Sequence, residues 1–118
     1  MTTAYFTVTL IAIAANGFSG IAALLHFKPV LPGMAKAGVP ESWLTFPIGT
    51  LKTAGAIGLA VGLLALHPIG VAASIGLVLF FVCAIYTHIL AGDYSPQFAL
   101  ANGFLALNVA ALALALSV

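Results

Sequence analysis

Only five of the 118 residues carry a formal charge, while 64% are hydrophobic, and this ratio rules out a fold surrounded by water. A soluble domain keeps its exterior hydrated with about a quarter of its residues as Asp, Glu, Lys or Arg; here Lys28, Lys36, Glu41, Lys52 and Asp93 are the whole set. The solvent must be lipid. Each ionic side chain is then an exception that needs a reason, because charge inside a span costs several kcal/mol unless it is paired or hydrated.

Four apolar stretches fill the chain as one domain, 1–118, with spans expected at about 4–25, 47–66, 69–90 and 97–118. Each approaches the roughly 20 residues that a helix needs to cross a hydrocarbon core about 30 Å thick. Pro47 opens the second span, His67-Pro68 separates it from the third, and Ala91-Gly92-Asp93-Tyr94-Ser95-Pro96 makes a turn before the fourth. The start Met1-Thr2-Thr3-Ala4 lacks the basic residues and cleavage site of a signal peptide, so the first span is expected to be retained. Short connections predict an all-α, integral membrane four-helix bundle running up-down-up-down.

An even number of spans puts both termini on one side of a multi-pass cell-membrane protein. All three lysines fall toward the other side, which the positive-inside tendency makes cytoplasmic, with both termini non-cytoplasmic. Trp43 suits the lipid-water boundary. Ala54, Gly58 and Gly62, four residues apart, form an expected packing stripe, with Gly17 and Gly20 thinning the first span. Such faces serve internal packing or a homo-oligomer. A weak echo also appears: His26 ends span one and His88 nearly ends span three, each followed by a loop and a proline.

The polar residues converge on the lysine-rich end. Lys52 lies about 8 Å inside its span, at 1.5 Å per residue, and is expected to turn inward toward Glu41 or Asp93, or else to snorkel to the interface. His26, Glu41, Tyr86, His88, Asp93 and Asn102 reach the same half; each also has a plain structural reading as a helix-end, cap or interface residue. Asn16 and Asn108 sit deeper, at matching depth, either bonded to each other or serving as polar anchors for an amphiphilic ligand. A lone cysteine, Cys83, permits neither an intrachain disulfide nor a CxxC metal motif, and no metal site is expected. A net charge of +1 without arginine gives no footprint for nucleic acid.

Pro47-Ile48-Gly49-Thr50-Leu51-Lys52-Thr53-Ala54-Gly55-Ala56-Ile57-Gly58-Leu59 and Ala84-Ile85-Tyr86-Thr87-His88-Ile89-Leu90-Ala91-Gly92-Asp93, in this order among four spans, resemble the DoxX-like family of small bacterial membrane proteins. The family takes its name from a sulfur-oxidising, quinone-linked membrane complex, and other relatives are accessory or assembly factors. Many carry basic residues where this chain has Ile89 and Leu90.

Three functions are compatible with these features. One is a redox-associated subunit or small enzyme holding a quinone or another lipophilic molecule at the cytoplasmic half, with His88, Lys52 and Asp93 as catalytic residues and His26, Glu41, Tyr86, Asn102, Asn16 and Asn108 lining the ligand. Another is a haem-binding isomerase of a lipophilic epoxide, with His26 or His88 as axial ligand. The last is a non-enzymatic packing partner of a larger membrane complex. The cofactor is left open, with quinone and haem as the candidates, and the partners are membrane lipid, a lipophilic small molecule, a second copy or a larger complex.

Overall fold

The structure is a computed structural model that describes residues 2–26 and 31–118. Helix α1 (Thr2–Leu24) is followed by the short α2 (Leu31–Ala37), a 3-10 turn (Glu41–Leu44), a wide turn (Thr45–Gly49), α3 (Thr50–Leu64), α4 (His67–Leu90) and α5 (Pro96–Ser117). Four segments are long and apolar enough to cross a membrane: Thr3–Leu24, Glu41–Leu64, His67–Leu90 and Pro96–Ser117. The chain is a multi-pass, all-helical membrane bundle. The two lysines of the first loop, Lys28 and the Lys36 side chain, lie outside the described residues.

The second span differs from its expected outline. Helical conformation begins at Glu41, and Phe46 (φ −144, ψ 132) interrupts it. The cause is local: the ring of Pro47 crowds the preceding residue out of the α region. Regular α-helix resumes only at Thr50. Pro68 and Pro96 instead stand in the first turns of α4 and α5, where a missing N–H has no partner to lose.

The helices form a ring in the order α1, α3, α4, α5 and back to α1. Its composition is inverted relative to a soluble bundle. Phe18, Leu25 and Leu64 are 78%, 77% and 84% exposed, whereas Thr9, Asn16, Ser74 and Asn108 are 2% exposed or less. Bulky apolar side chains outside and small or polar ones inside are stable only where the surroundings are hydrocarbon. A central layer of Ala12, Leu59, Leu77 and Ala111 closes the middle. At the loop end, Ala23, Met34 and Leu44 form a second cluster that seats α2 against the tip of α1.

Glycines set the helix contacts. A β-carbon on Gly62 would overlap the Gly70 backbone, one on Gly58 would lie 2.7 Å from the Ala73 Cβ, and one on Gly55 would lie 2.6 Å from Leu77. The α3 stripe facing α4 is therefore Gly55, Gly58 and Gly62, and Ala54 faces outward, contrary to the four-residue spacing expected of it. Helical rotation explains the correction: at 3.6 residues per turn, seven residues fall about 20° short of two turns, while eight overshoot by about 80°. On the other side of α3, Gly20 lies against Thr53 and Lys52, and Gly17 faces Ala56.

Candidate functional site at the loop end

Helix α4 ends in a Schellman turn. Gly92, at φ 65, takes the left-handed position that L side chains avoid, the Gly92 N–H donates to the Ile89 carbonyl at 3.0 Å, and the Asp93 N–H donates to that of His88 at 2.9 Å. This turn folds Asp93 back over His88. The imidazole Nδ1–H donates to Asp93 Oδ2 at 2.9 Å, and Asp93 Oδ1 accepts the Ser95 N–H at 3.1 Å as α5 begins. The carboxylate, 6% exposed, thus orients the ring and anchors the next helix at once.

Burial alone raises the Asp93 pKa. The bonds from Ser95 and His88, together with the His88 charge, outweigh it and hold the carboxyl below its ordinary value. His88 Nε2 has no partner among the described residues, and the ring meets the edge of Phe98, which in turn contacts Tyr94. A concavity of about 490 Å³ lies over the turn, lined by Ala91, Gly92, Asp93, Tyr94 and Ser95. A ring fixed through Nδ1 leaves Nε2 as the nitrogen that can give or take a proton.

The second histidine of this end is arranged differently. His26 has φ 53, in the left-handed region that a non-glycine residue occupies at a cost. Two bonds hold it there: Nδ1 with Glu41 Oε2 at 3.0 Å and Nε2 with Thr45 Oγ1 at 2.9 Å. With both nitrogens occupied, His26 straps the tip of α1 to the start of the second span. It offers no free nitrogen to an axial metal.

Lys52 turns inward, as its charge requires, but its neighbours are not the expected carboxylates. Nζ donates to Ser19 Oγ of α1 at 2.8 Å and lies 5.7, 5.5 and 5.8 Å from the ring centres of Phe80, Phe81 and Phe104. The α3 side chain thereby touches all three other spans. The physical reason is competition: each acidic side chain is already taken by a histidine, so ring faces and one hydroxyl receive the ammonium. Phe81 and Phe104 stack at 5.1 Å beside it.

The remaining residues separate into three settings. Asn16 and Asn108 bond each other, Nδ2 to Oδ1 at 2.9 and 3.3 Å, and each amide also donates to its own helix, at Ala12 and Phe104. Tyr86 is 59% exposed, and Asn102 is exposed with its amide on the Phe98 carbonyl, so neither enters the interior. At the opposite end, His67 Nε2–H donates to the Ala115 carbonyl at 2.9 Å, while Nδ1 accepts from the Tyr5 hydroxyl at 3.4 Å.

The shared centre expected of His88, Lys52 and Asp93 is therefore two sites: a rim dyad, His88 with Asp93, and an interior ammonium. Sequence reasoning missed Ser19, Thr45 and the three phenylalanines. The adjacent Phe80-Phe81 pair, at the depth of Lys52, was the available signal. Among the described residues no group of three His, Cys, Asp or Glu could hold a metal ion.

Compared with known proteins, residues 7–116 match the model of the DoxX-like family. No curated protein and no solved structure matches the chain.

Proposed function

Because the chain belongs to the DoxX-like family, we propose that this integral membrane protein is a redox-associated subunit or small enzyme that holds a quinone or a similar lipophilic carbonyl compound at the loop end of its bundle. The observation that carries the reading is the His88–Asp93 dyad: His88 Nε2 is left without a partner among the described residues, and the Asp93 that orients the ring lines the concavity over the turn. A carboxylate that accepts from Nδ1 fixes the orientation of the ring and its tautomer. In its charged form, Nε2–H donates to a carbonyl oxygen; in its neutral form, Nε2 accepts the proton of the corresponding hydroxyl. The edges of Tyr94 and Phe98 supply apolar contact for a ring at this position.

Lys52 acts on this site only at a distance, and Asp93 is a positioning residue rather than a group touching the ligand. Lys28, Lys36 and Lys52 all belong to the same half of the topology, which favours a cytoplasmic loop end with both termini on the far side.

Mass spectrometry of small molecules released from gently extracted protein tests the reading. A lipophilic carbonyl compound retained by the wild type and lost from a folded His88→Phe variant is the expected result. A Soret band in the purified protein would replace the reading with haem binding at His88. Absence of both haem and lipophile would leave a packing role in a larger complex.

A further inference from the structure

The chain has two acidic side chains, and both are committed: Glu41 to His26 and Asp93 to His88. Lys52 is left with a cation inside the bundle and no carboxylate. Among the described residues its one hydrogen-bond acceptor is Ser19, although an ammonium has three N–H groups to place. Rings stabilise such a charge, but an anion does so far better in a medium of low dielectric.

Across the Phe104 ring from this ammonium lies the seam between the first and last spans. A trough of about 580 Å³ runs between α1 and α5, lined by Ala15, Pro96, Leu100, Gly103, Phe104 and Leu107 among others. That volume is within the range of small-molecule sites. From Pro96 at the rim to Leu107 the trough descends about 16 Å along α5, at 1.5 Å per residue, close to the depth of one leaflet. Phe104 is the residue the two share, lining the trough and facing the ammonium, and Ser19, which accepts from Lys52, is one turn from the trough residue Ala15 on α1. The trough is open at Gly103, where a β-carbon would meet nothing within 4 Å, so a large side chain there would project into it.

We propose that the α1–α5 seam binds an acidic single-chain lipid of the surrounding leaflet, with its hydrocarbon chain in the trough and its anionic oxygen on the Lys52 ammonium. The site is distinct from the His88–Asp93 rim: residues 96, 100, 103 and 107 share one face of α5, whereas Phe98, which touches His88, lies on the opposite face. Such a lipid would supply the counter-charge that the chain lacks and fill the seam between its first and last spans.

Oleate and oleyl alcohol, equal in chain but not in charge, are the probes. Their binding to purified protein is compared for the wild type, Lys52→Met, Gly103→Phe and His88→Gln, with helicity checked for each variant. The wild type should prefer oleate by about tenfold or more, the magnitude of a charge-assisted hydrogen bond in a sheltered site. Lys52→Met should bind the two equally, Gly103→Phe should weaken both, and His88→Gln should match the wild type, so that failure of the rim reading leaves this site standing. Equal uptake of both probes by the wild type, a preference surviving in folded Lys52→Met, or undiminished binding by Gly103→Phe would overturn the proposal. The Gly103 variant retains the test should loss of Lys52 prevent folding.

Discussion

Replacing Asn16 and Asn108 by alanine, singly and together, measures what joins the first span to the last. Both side chains are fully buried, and each amide divides its donors between the other asparagine and its own helix backbone. Either single substitution removes both cross-helix bonds and leaves the surviving amide partly unsatisfied, at a cost of about 1–3 kcal/mol. Cavity formation adds to each single value but largely cancels in the double-mutant cycle. What remains is the pair itself. Side-chain hydrogen bonds between membrane helices average about 0.6 kcal/mol and reach about 1.7, so two of them, one lengthened to 3.3 Å, predict a coupling of about 1 kcal/mol. Reversible unfolding in mixed detergent-lipid micelles, followed by far-UV circular dichroism, supplies the four free energies. Strict additivity, with a coupling below about 0.3 kcal/mol, would refute the reasoning and reduce the pair to two independent backbone-bonded amides.

Three further expectations concern other parts of the bundle. Gly62→Ala should destabilise by about 1–3 kcal/mol because its methyl group overlaps the Gly70 backbone, whereas Gly103→Ala, with open space around it, should be neutral or stabilising in the same unfolding assay. Since Asp93 titrates below its ordinary value, its contribution is fully present above that value and disappears as pH falls through the lowered one; melting curves between pH 7 and 3 should show an acid limb that Asp93→Asn flattens. With the proposed orientation, Ser95→Cys in a Cys83→Ala background should react with an impermeant maleimide only after the cytoplasmic face is opened, and labelling of intact cells would reverse that proposal.

The sequence displayed the span count and the gathering of titratable groups at one end because both follow from where apolar runs start and stop. It displayed much less about rotation. In water an amphipathic stripe announces which face is buried, but these helices are apolar all round, so hydrophobicity says little about the inward face. Small residues carry that information instead, at helical rather than integral spacing, which is why Gly55 and not Ala54 faces α4. Lys52 shows a second limit. Its inward turn followed from its charge, whereas Ser19 and three rings as its neighbours depended on both carboxylates being claimed by histidines five and fifteen residues away in sequence. Such a choice is settled in three dimensions. Tyr86 and Asn102, polar and at suitable depth, point outward, so depth without azimuth overstated the site.

In the proposed function the rim dyad binds a lipophilic carbonyl compound through His88 Nε2. Equilibrium titration of a short-chain benzoquinone into wild-type, His88→Phe and Asp93→Asn proteins addresses it directly. Saturable binding that falls about tenfold or more in His88→Phe, and by less in folded Asp93→Asn, which removes the carboxylate's charge from the ring and from the Ser95 N–H but leaves His88 in place, is the predicted result. Binding that is unsaturable, or unchanged in folded His88→Phe, would contradict it.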